Sequence, residues 1–233
     1  MRSIVVAIDG YSSCGKSTIA KALAKYAGYT YVDTGAMYRA TALYAQRAGL
    51  EHALEQVVPL LENIHISFTQ TTNGQHVTLN GEDVESAIRT LEIGNLASQI
   101  STIKEVRAFL VAQQQSMCWE KHDGMAIRRG IVMDGRDIGT VVFPNAELKL
   151  FLTASPSVRA ERRFKELQAK GEHPIFEEVL RDTNDRDYRD THRAESPLRQ
   201  AEDAIIVDNS QMTQEEQMQH VIALFERRLK EQA

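Results

Sequence analysis

Cysteine is nearly absent: the 233 residues carry two, Cys14 and Cys118. Two thiols without metal-type spacing argue against a disulfide framework, and a reducing, cytoplasmic compartment is the simplest expectation. No apolar run approaches membrane-spanning length, so no spanning helix is expected. The opening residues read as a core strand rather than a secretory signal. An excess of basic charge is also missing, with 27 Lys and Arg against 32 Asp and Glu and a net charge of −5. Sequence-independent nucleic-acid binding favours a basic surface, so neither DNA nor RNA is expected as a partner. No internal repeat or low-complexity linker occurs. What is left is an ordinary globular composition, 42% hydrophobic and 25% charged. It suits one domain with elaborations, or at most two.

One stretch stands out against that background. Gly10-Tyr11-Ser12-Ser13-Cys14-Gly15-Lys16-Ser17 matches G-x-x-x-x-G-K-[ST], the phosphate-cradling P-loop. Residues 3–8 before it form a short apolar, β-branched run that reads as a buried strand. From Thr18 onward come good helix formers with apolar positions at helical spacing. Strand, glycine-rich turn and helix together aim backbone N–H groups and a helix N-terminus at one point, where an anion is stabilised. Gly10 and Gly15 let the backbone approach phosphate oxygens. Lys16 supplies a point charge for the β- and γ-phosphates of ATP, and the Ser17 hydroxyl is a ligand for Mg²⁺. Tyr11, Ser12, Ser13, Cys14 and Thr18 complete the nucleotide-binding loop. Cys14 is open to two readings: a small filler, or a thiol whose pKa is lowered by a helix N-terminus. Asp9 reads as a brace for the loop.

Strands alternate with helices over most of the chain. Residues 29–32, 130–134, 148–152 and 204–207 read as further strands, and few show period-two alternation. Both faces are therefore expected to be covered, as in a parallel sheet between helix layers. Residues 37–48 read as a helix ending at Gly49. Ser155-Pro156 opens another as N-cap and first helical residue, running to about Lys170. Thr213-Gln214-Glu215-Glu216 is a capping box for a C-terminal helix. One region breaks the rhythm: alternating runs separated by Asn73-Gly74 and Asn80-Gly81 predict a small antiparallel sheet inserted into the α/β body.

Two further constellations lie where strands end. Asp134-Gly135-Arg136-Asp137 follows the 130–134 strand, at the carboxyl end where a parallel sheet forms its ligand crevice. Asp134 can then orient Mg²⁺ or its waters, and Arg136 can pair with phosphate. A polar turn with a local Asp–Arg pair is the other reading. In the 181–193 segment, a helix would put Arg186, Arg189 or Asp190, and Arg193 on one face. That face suits a polyphosphate, or else belongs to a salt-bridged solvated helix.

Taken together, these motifs resemble those of the nucleoside monophosphate kinases, and among them the bacterial cytidylate kinases. The resemblance covers essentially the whole chain. It rests on Asp9-Gly10 through Ser17-Thr18, Asp33-Thr34-Gly35-Ala36-Met37-Tyr38-Arg39, Gly81-Glu82-Asp83-Val84, Ile88-Arg89-Thr90, Ala97-Ser98-Gln99, Val106-Arg107 and Arg186-Asp187-Tyr188-Arg189-Asp190. Most specific is the run from Asp134-Gly135-Arg136-Asp137 to Phe143-Pro144. The chain departs from the family pattern at Thr34, where Ser is common, and at Ser17, where many relatives carry Gly.

The resemblance implies one P-loop kinase domain: core 1–33, 125–155 and 200–233, a nucleotide-monophosphate region about 34–120, and a lid about 156–195. It implies transfer of the γ-phosphoryl group of ATP to CMP or dCMP, with Mg²⁺, by a cytoplasmic monomer. Ser98, Arg107 and Asp137 would face cytosine, with Thr34 and Arg193 nearby. Arg39, beside Tyr38, would hold phosphate together with Arg136 and Arg186, and Asp190 would meet the sugar hydroxyls. Lys16, Arg136, Arg186 and Arg189 are the catalytic candidates. The chemistry agrees at Asp137, since the cytosine N4 amine is a donor and a carboxylate its natural acceptor. Alternatives are a P-loop kinase for another small acceptor (UMP, AMP or a metabolite) and a non-kinase nucleotide-binding protein. A GTPase switch would need an Asn-Lys-x-Asp element, which does not occur.

Overall fold

The computed structural model describes residues 3–71, 74–122 and 125–232. The chain divides into two compact units, one of Met1–Tyr31 with Met117–Ala233, the other Val32–Ser116.

The first unit is built on a five-stranded sheet. Its strands are β1 (Val5–Gly10), β2 (Thr30–Asp33), β8 (Ile131–Gly135), β9 (Leu148–Thr153) and β10 (Ile205–Asp208). Their order is β10-β9-β1-β8-β2. Chain β1 lies in the middle, parallel to β8 and to β9, and β10 runs parallel to β9. Every residue of β1 and β8 is buried, which is why these runs are apolar without alternation. Register sets Ile8 opposite Asp134 and Gly10 opposite Leu152, so the P-loop and the Asp134 turn leave neighbouring strands at the same end. Helices α1 (Lys16–Ala27) and α7 (Gln214–Glu231) bury Ile19, Leu23, Val221 and Phe225 against Ile4, Val6, Leu148 and Leu150. Burial of each such side chain contributes roughly 1.5–3 kcal/mol.

Helices α5 (Pro156–Ala169) and α6 (Phe176–His192) pack through Ala160, Leu167 and Val179, with the Phe164 and Phe176 rings edge to face. Ser155 caps α5 with Pro156 in its first turn, and Thr213 and Glu216 form both bonds of the capping box on α7, as their spacing predicts. A second small sheet, β6 (Trp119–His122) with β7 (Met125–Arg128), was not anticipated.

The second unit holds α2 (Thr34–Arg47), a 3₁₀ segment Leu54–Asn63, and the antiparallel strands β3 (Ile66–Thr71), β4 (Gly74–Leu79) and β5 (Glu82–Asp83). Helices α3 (Leu91–Ile100) and α4 (Lys104–Ser116) follow. The expected inserted sheet is present. Asn80 and Gly81 both have positive φ, 52° and 84°, as a type I′ hairpin requires. Of the Asn73-Gly74 turn, Asn73 lies outside the described residues. Helix α2 begins three residues earlier than its pattern suggests, because Asp33 caps it by accepting from the Ala36 amide at 2.9 Å.

Candidate functional site

The P-loop gains its shape from backbone that few residues tolerate. Ser13 and Gly15 have φ of 58° and 85°. A Cβ on Gly10 would stand 2.0 Å from the Leu152 carbonyl oxygen of β9, so only glycine fits. Helix α1 starts at Gly15 with no side-chain cap and no acidic residue in its first turn. Such a start presents its amides and positive dipole end to an anion. The Lys16 ammonium is buried and donates to the Tyr11 carbonyl at 2.6 Å, with the Cys14 sulfur 3.7 Å away. Burial, then the neighbouring Arg136 charge, lowers its pKa. Cys14 is wholly buried, and its thiol donates to the same Tyr11 carbonyl at 3.0 Å. That placement fits the filler reading of this residue.

Asp134 ties the loop to β8. Its Oδ2 accepts from the Ser17 hydroxyl at 2.9 Å and its Oδ1 from the Tyr31 hydroxyl at 2.8 Å. The two residues proposed for Mg²⁺ on sequence grounds are thus in contact, and both carry oxygen donors that suit a hard cation. Arg136 Nε donates to Asp190 Oδ2 at 2.7 Å, joining the Asp134 turn to α6. Burial would raise the Asp190 carboxyl, but Arg136, Arg186 and Arg193 bring it below its ordinary value. Arg136 moves upward in turn: its burial is outweighed by Asp190.

Helix α6 sorts the sequence candidates by face. Asp190 is buried, Arg186 is half-buried, and Arg189 is exposed, so Arg189 does not join this cluster. Arg193 follows the helix and holds the Ser196 carbonyl through Nε and Nη2.

Several participants are not among the candidate site residues of the sequence. Asp187 accepts from the Ser12 amide at 3.4 Å and pairs with Arg159. Arg159 also donates to the Ala154 and Ser12 carbonyls and lies over the Tyr11 ring. Behind the loop, fully buried Asn209 donates to the Cys14 carbonyl at 2.7 Å and to Gln217 at 3.1 Å, and accepts from Arg162 at 2.8 Å. Tyr31 is likewise visible only once β2 and β8 share a sheet.

The turn after Asp134 contains one π turn, Ile138–Val142. Asp137 sits at its N-cap position and is buried, yet makes no side-chain cap. Asp9 braces this turn rather than the P-loop. Its Oδ1 accepts from the Ile138 amide at 2.8 Å and its Oδ2 from the Gly139 amide at 2.7 Å. Burial pushes the Asp9 carboxyl up to about 7, against the pull of the two amides.

Within the second unit, Arg107 donates to the Ser101 carbonyl at 3.0 Å and lies over the Tyr38 ring, 5.5 Å from its centroid. Ser98 is buried, and its hydroxyl oxygen has no hydrogen-bond partner among the described residues. A buried hydroxyl left this way is costly unless something else satisfies it. Thr34 is buried at the start of α2. Arg39 donates to the Ile88 carbonyl at 3.3 Å, and Gly94 leaves room for it: a Cβ there would lie 3.0 Å from its Nη1. Arg89 pairs with Asp33 at 3.1 Å and with Glu85 at 2.8 Å.

Residues 6–227 match the family model described as Cytidylate kinase. A cytidylate kinase of Parabacteroides distasonis is 54% identical over 223 residues, covering 93% of this chain and 94% of that protein. Another, of Flavobacterium johnsoniae, is 49% identical over 231 residues, covering 96% of each. A third, of Bacteroides thetaiotaomicron, is 48% identical over 237 residues, covering 99% of this chain and all of that protein.

Proposed function

The chain belongs to the cytidylate kinase family, and from that membership we infer that it transfers the γ-phosphoryl group of ATP to CMP or dCMP, giving ADP and CDP or dCDP. The observation that carries this inference is the P-loop itself: an uncapped helix start free of acid, a buried ammonium, and a Ser17–Asp134 oxygen pair beside it. The first two suit a polyphosphate tail. Ser17 and Asp134 would hold Mg²⁺ directly or through its waters, and the ion would supply charge neutralisation between the phosphates.

The acceptor needs no general base. A phosphate monoester with a second pKa near 6 is largely a dianion at pH 7. The residues have only to position it and to offset charge that builds up during transfer. Lys16 takes the donor tail, and Arg136 and Arg186 take the transferring group. Arg39 takes the acceptor phosphate, with Tyr38 beside it. Asp190, held ionised by its arginines, accepts from sugar hydroxyls. Ser98, with its unspent hydroxyl, and Arg107 take the pyrimidine, with Thr34 and Arg193 nearby. Asp137 accepts from the cytosine N4 amine; uracil offers an acceptor there and would be repelled. The net charge of −5 supports free nucleotides rather than nucleic acid as the partners, and among the described residues no helix is long and apolar enough to cross a membrane. We place Arg189 outside the catalytic group because of its exposure.

Steady-state kcat/KM for CMP, dCMP, UMP and AMP tests the reading. CMP and dCMP should lead by more than about tenfold, the scale of one charge-assisted hydrogen bond gained or lost. Equal values for UMP would remove Asp137 as the base reader, and a higher value for AMP would replace the acceptor altogether.

A further inference from the structure

Asp137 stands at a helix N-cap, a position where an aspartate normally turns its carboxylate back onto the N2 or N3 amide. Here it does not. Of the amides within its reach, that of Gly139 at N2 is already held by Asp9 Oδ2 at 2.7 Å, and the preceding Ile138 amide by Asp9 Oδ1 at 2.8 Å. Asp9 reaches them from the middle strand of the sheet, where it pairs with Gly135 on one side and Phe151 on the other. It has little freedom to move: it is buried, and Gly139 packs on the Lys149 chain so closely that even a Cβ would lie 3.1 Å from it. A helix start leaves its first amides without internal partners, and some acceptor must satisfy them when they are buried. A carboxylate taking two of them from another strand does that work without using the residue at the cap.

We propose that Asp9 is a positioning residue for pyrimidine selection, which by capping the 138–142 turn from outside keeps the Asp137 carboxylate off its own helix and turned to the base. This rests on Asp137 being the cytosine reader. Without the Asp9 carboxylate, the Gly139 amide is released to a cap from Asp137, and the reader is drawn back onto its own helix. The consequence differs from ordinary loss of packing. CMP loses its partner, whereas UMP, which Asp137 repels, does not.

The experiment measures kcat/KM for CMP and UMP at saturating ATP in the wild type, Asp9→Asn, Asp137→Ala and the double variant, with circular dichroism to establish folding. Asn is the same size but puts a donor NH2 in place of one of the two acceptor oxygens. Asp9→Asn should lower the CMP/UMP ratio about tenfold, the scale of one charge-assisted bond, while the KM for ATP stays within about twofold. Adding it to Asp137→Ala should change the ratio no further, because Asp9 acts through that residue. An unchanged ratio, an equal fall for CMP and UMP, or effects that multiply in the double variant would each overturn the proposal. If Asp137→Ala alone leaves the ratio intact, the cytosine-reader assignment fails first, and that result is read without any Asp9 variant. Asp9→Ser, smaller and with one acceptor oxygen, is measured alongside. Failure of both Asp9 variants to fold would assign the residue to the core and overturn the proposal.

Discussion

Ser98 shows how a single atom separates a packing role from a binding one. Its hydroxyl is buried and has no hydrogen-bond partner among the described residues, so it makes no bond there that alanine would lose. Ser98→Ala should therefore leave Tm unchanged or slightly raised while raising the KM for CMP several-fold. A fall in Tm with unchanged KM would return the hydroxyl to the core. The arginines of α6 allow a matched comparison. Arg186 is half-buried and its charge acts on Asp190, whereas Arg189 is exposed. Arg186→Met should cost kcat on the order of 10²-fold or more, the scale of removing one positioned donor, and Arg189→Met less than about twofold. Equal losses would show that both reach the transferring group. Sequence spacing could not choose between Arg189 and Asp190 because both lie three or four residues from Arg186. In the fold it is Asp190 that meets Arg136.

Helices and strands were mostly legible before any coordinates. Ser155-Pro156, the Thr213 capping box and Asn80-Gly81 each encode their geometry within three or four residues, and each is present. The β6–β7 pair is not among the sequence expectations, although Asp123-Gly124, a dipeptide favoured in turns, lies between its strands in sequence; those two residues lie outside the described ones. The early start of α2 escaped notice because Asp33 ends a strand and caps a helix at once. Thr213→Ala removes one side-chain acceptor from the start of α7. It should destabilise by about 1 kcal/mol, read as a fall in Tm of about 2–4 °C. A larger fall, with lost activity, would mean that Gln217 and Asn209 carry the strain of that helix into the P-loop.

At the scale of the whole molecule, two buried carboxylates pull stability in opposite directions with pH. Asp9 has its pKa raised from 3.8 to about 7 by burial. Its contribution is present in full below about pH 4 and is lost as pH rises to about 7. Asp190 is lowered by its arginines, so its contribution is present above the ordinary carboxylate range and lost in stronger acid. The Tm of Asp9→Asn relative to the wild type should accordingly move in the variant's favour between about pH 4 and pH 7 and level off above it. A difference that is flat over that window would mean Asp9 ionises normally in the folded chain. Opposed shifts of this kind are invisible in a sequence, because burial comes from the whole fold and partners come from distant segments: Asp9 meets Gly139, 130 positions on, and Asp190 meets Arg136, 54 positions back. What the sequence determined alone was local: the phosphate loop, most of the strand and helix pattern, the Ser155 and Thr213 caps, the Asn80-Gly81 turn and the family. Tertiary structure decided the roles that depend on which strands are neighbours, namely Tyr31 and Ser17 on one carboxylate, Asn209 behind the loop, and Asp9 capping the 138–142 turn from another strand. The physical reason is range. Backbone conformation is chosen over a few residues, whereas a buried polar group must find its partner wherever the fold brings one.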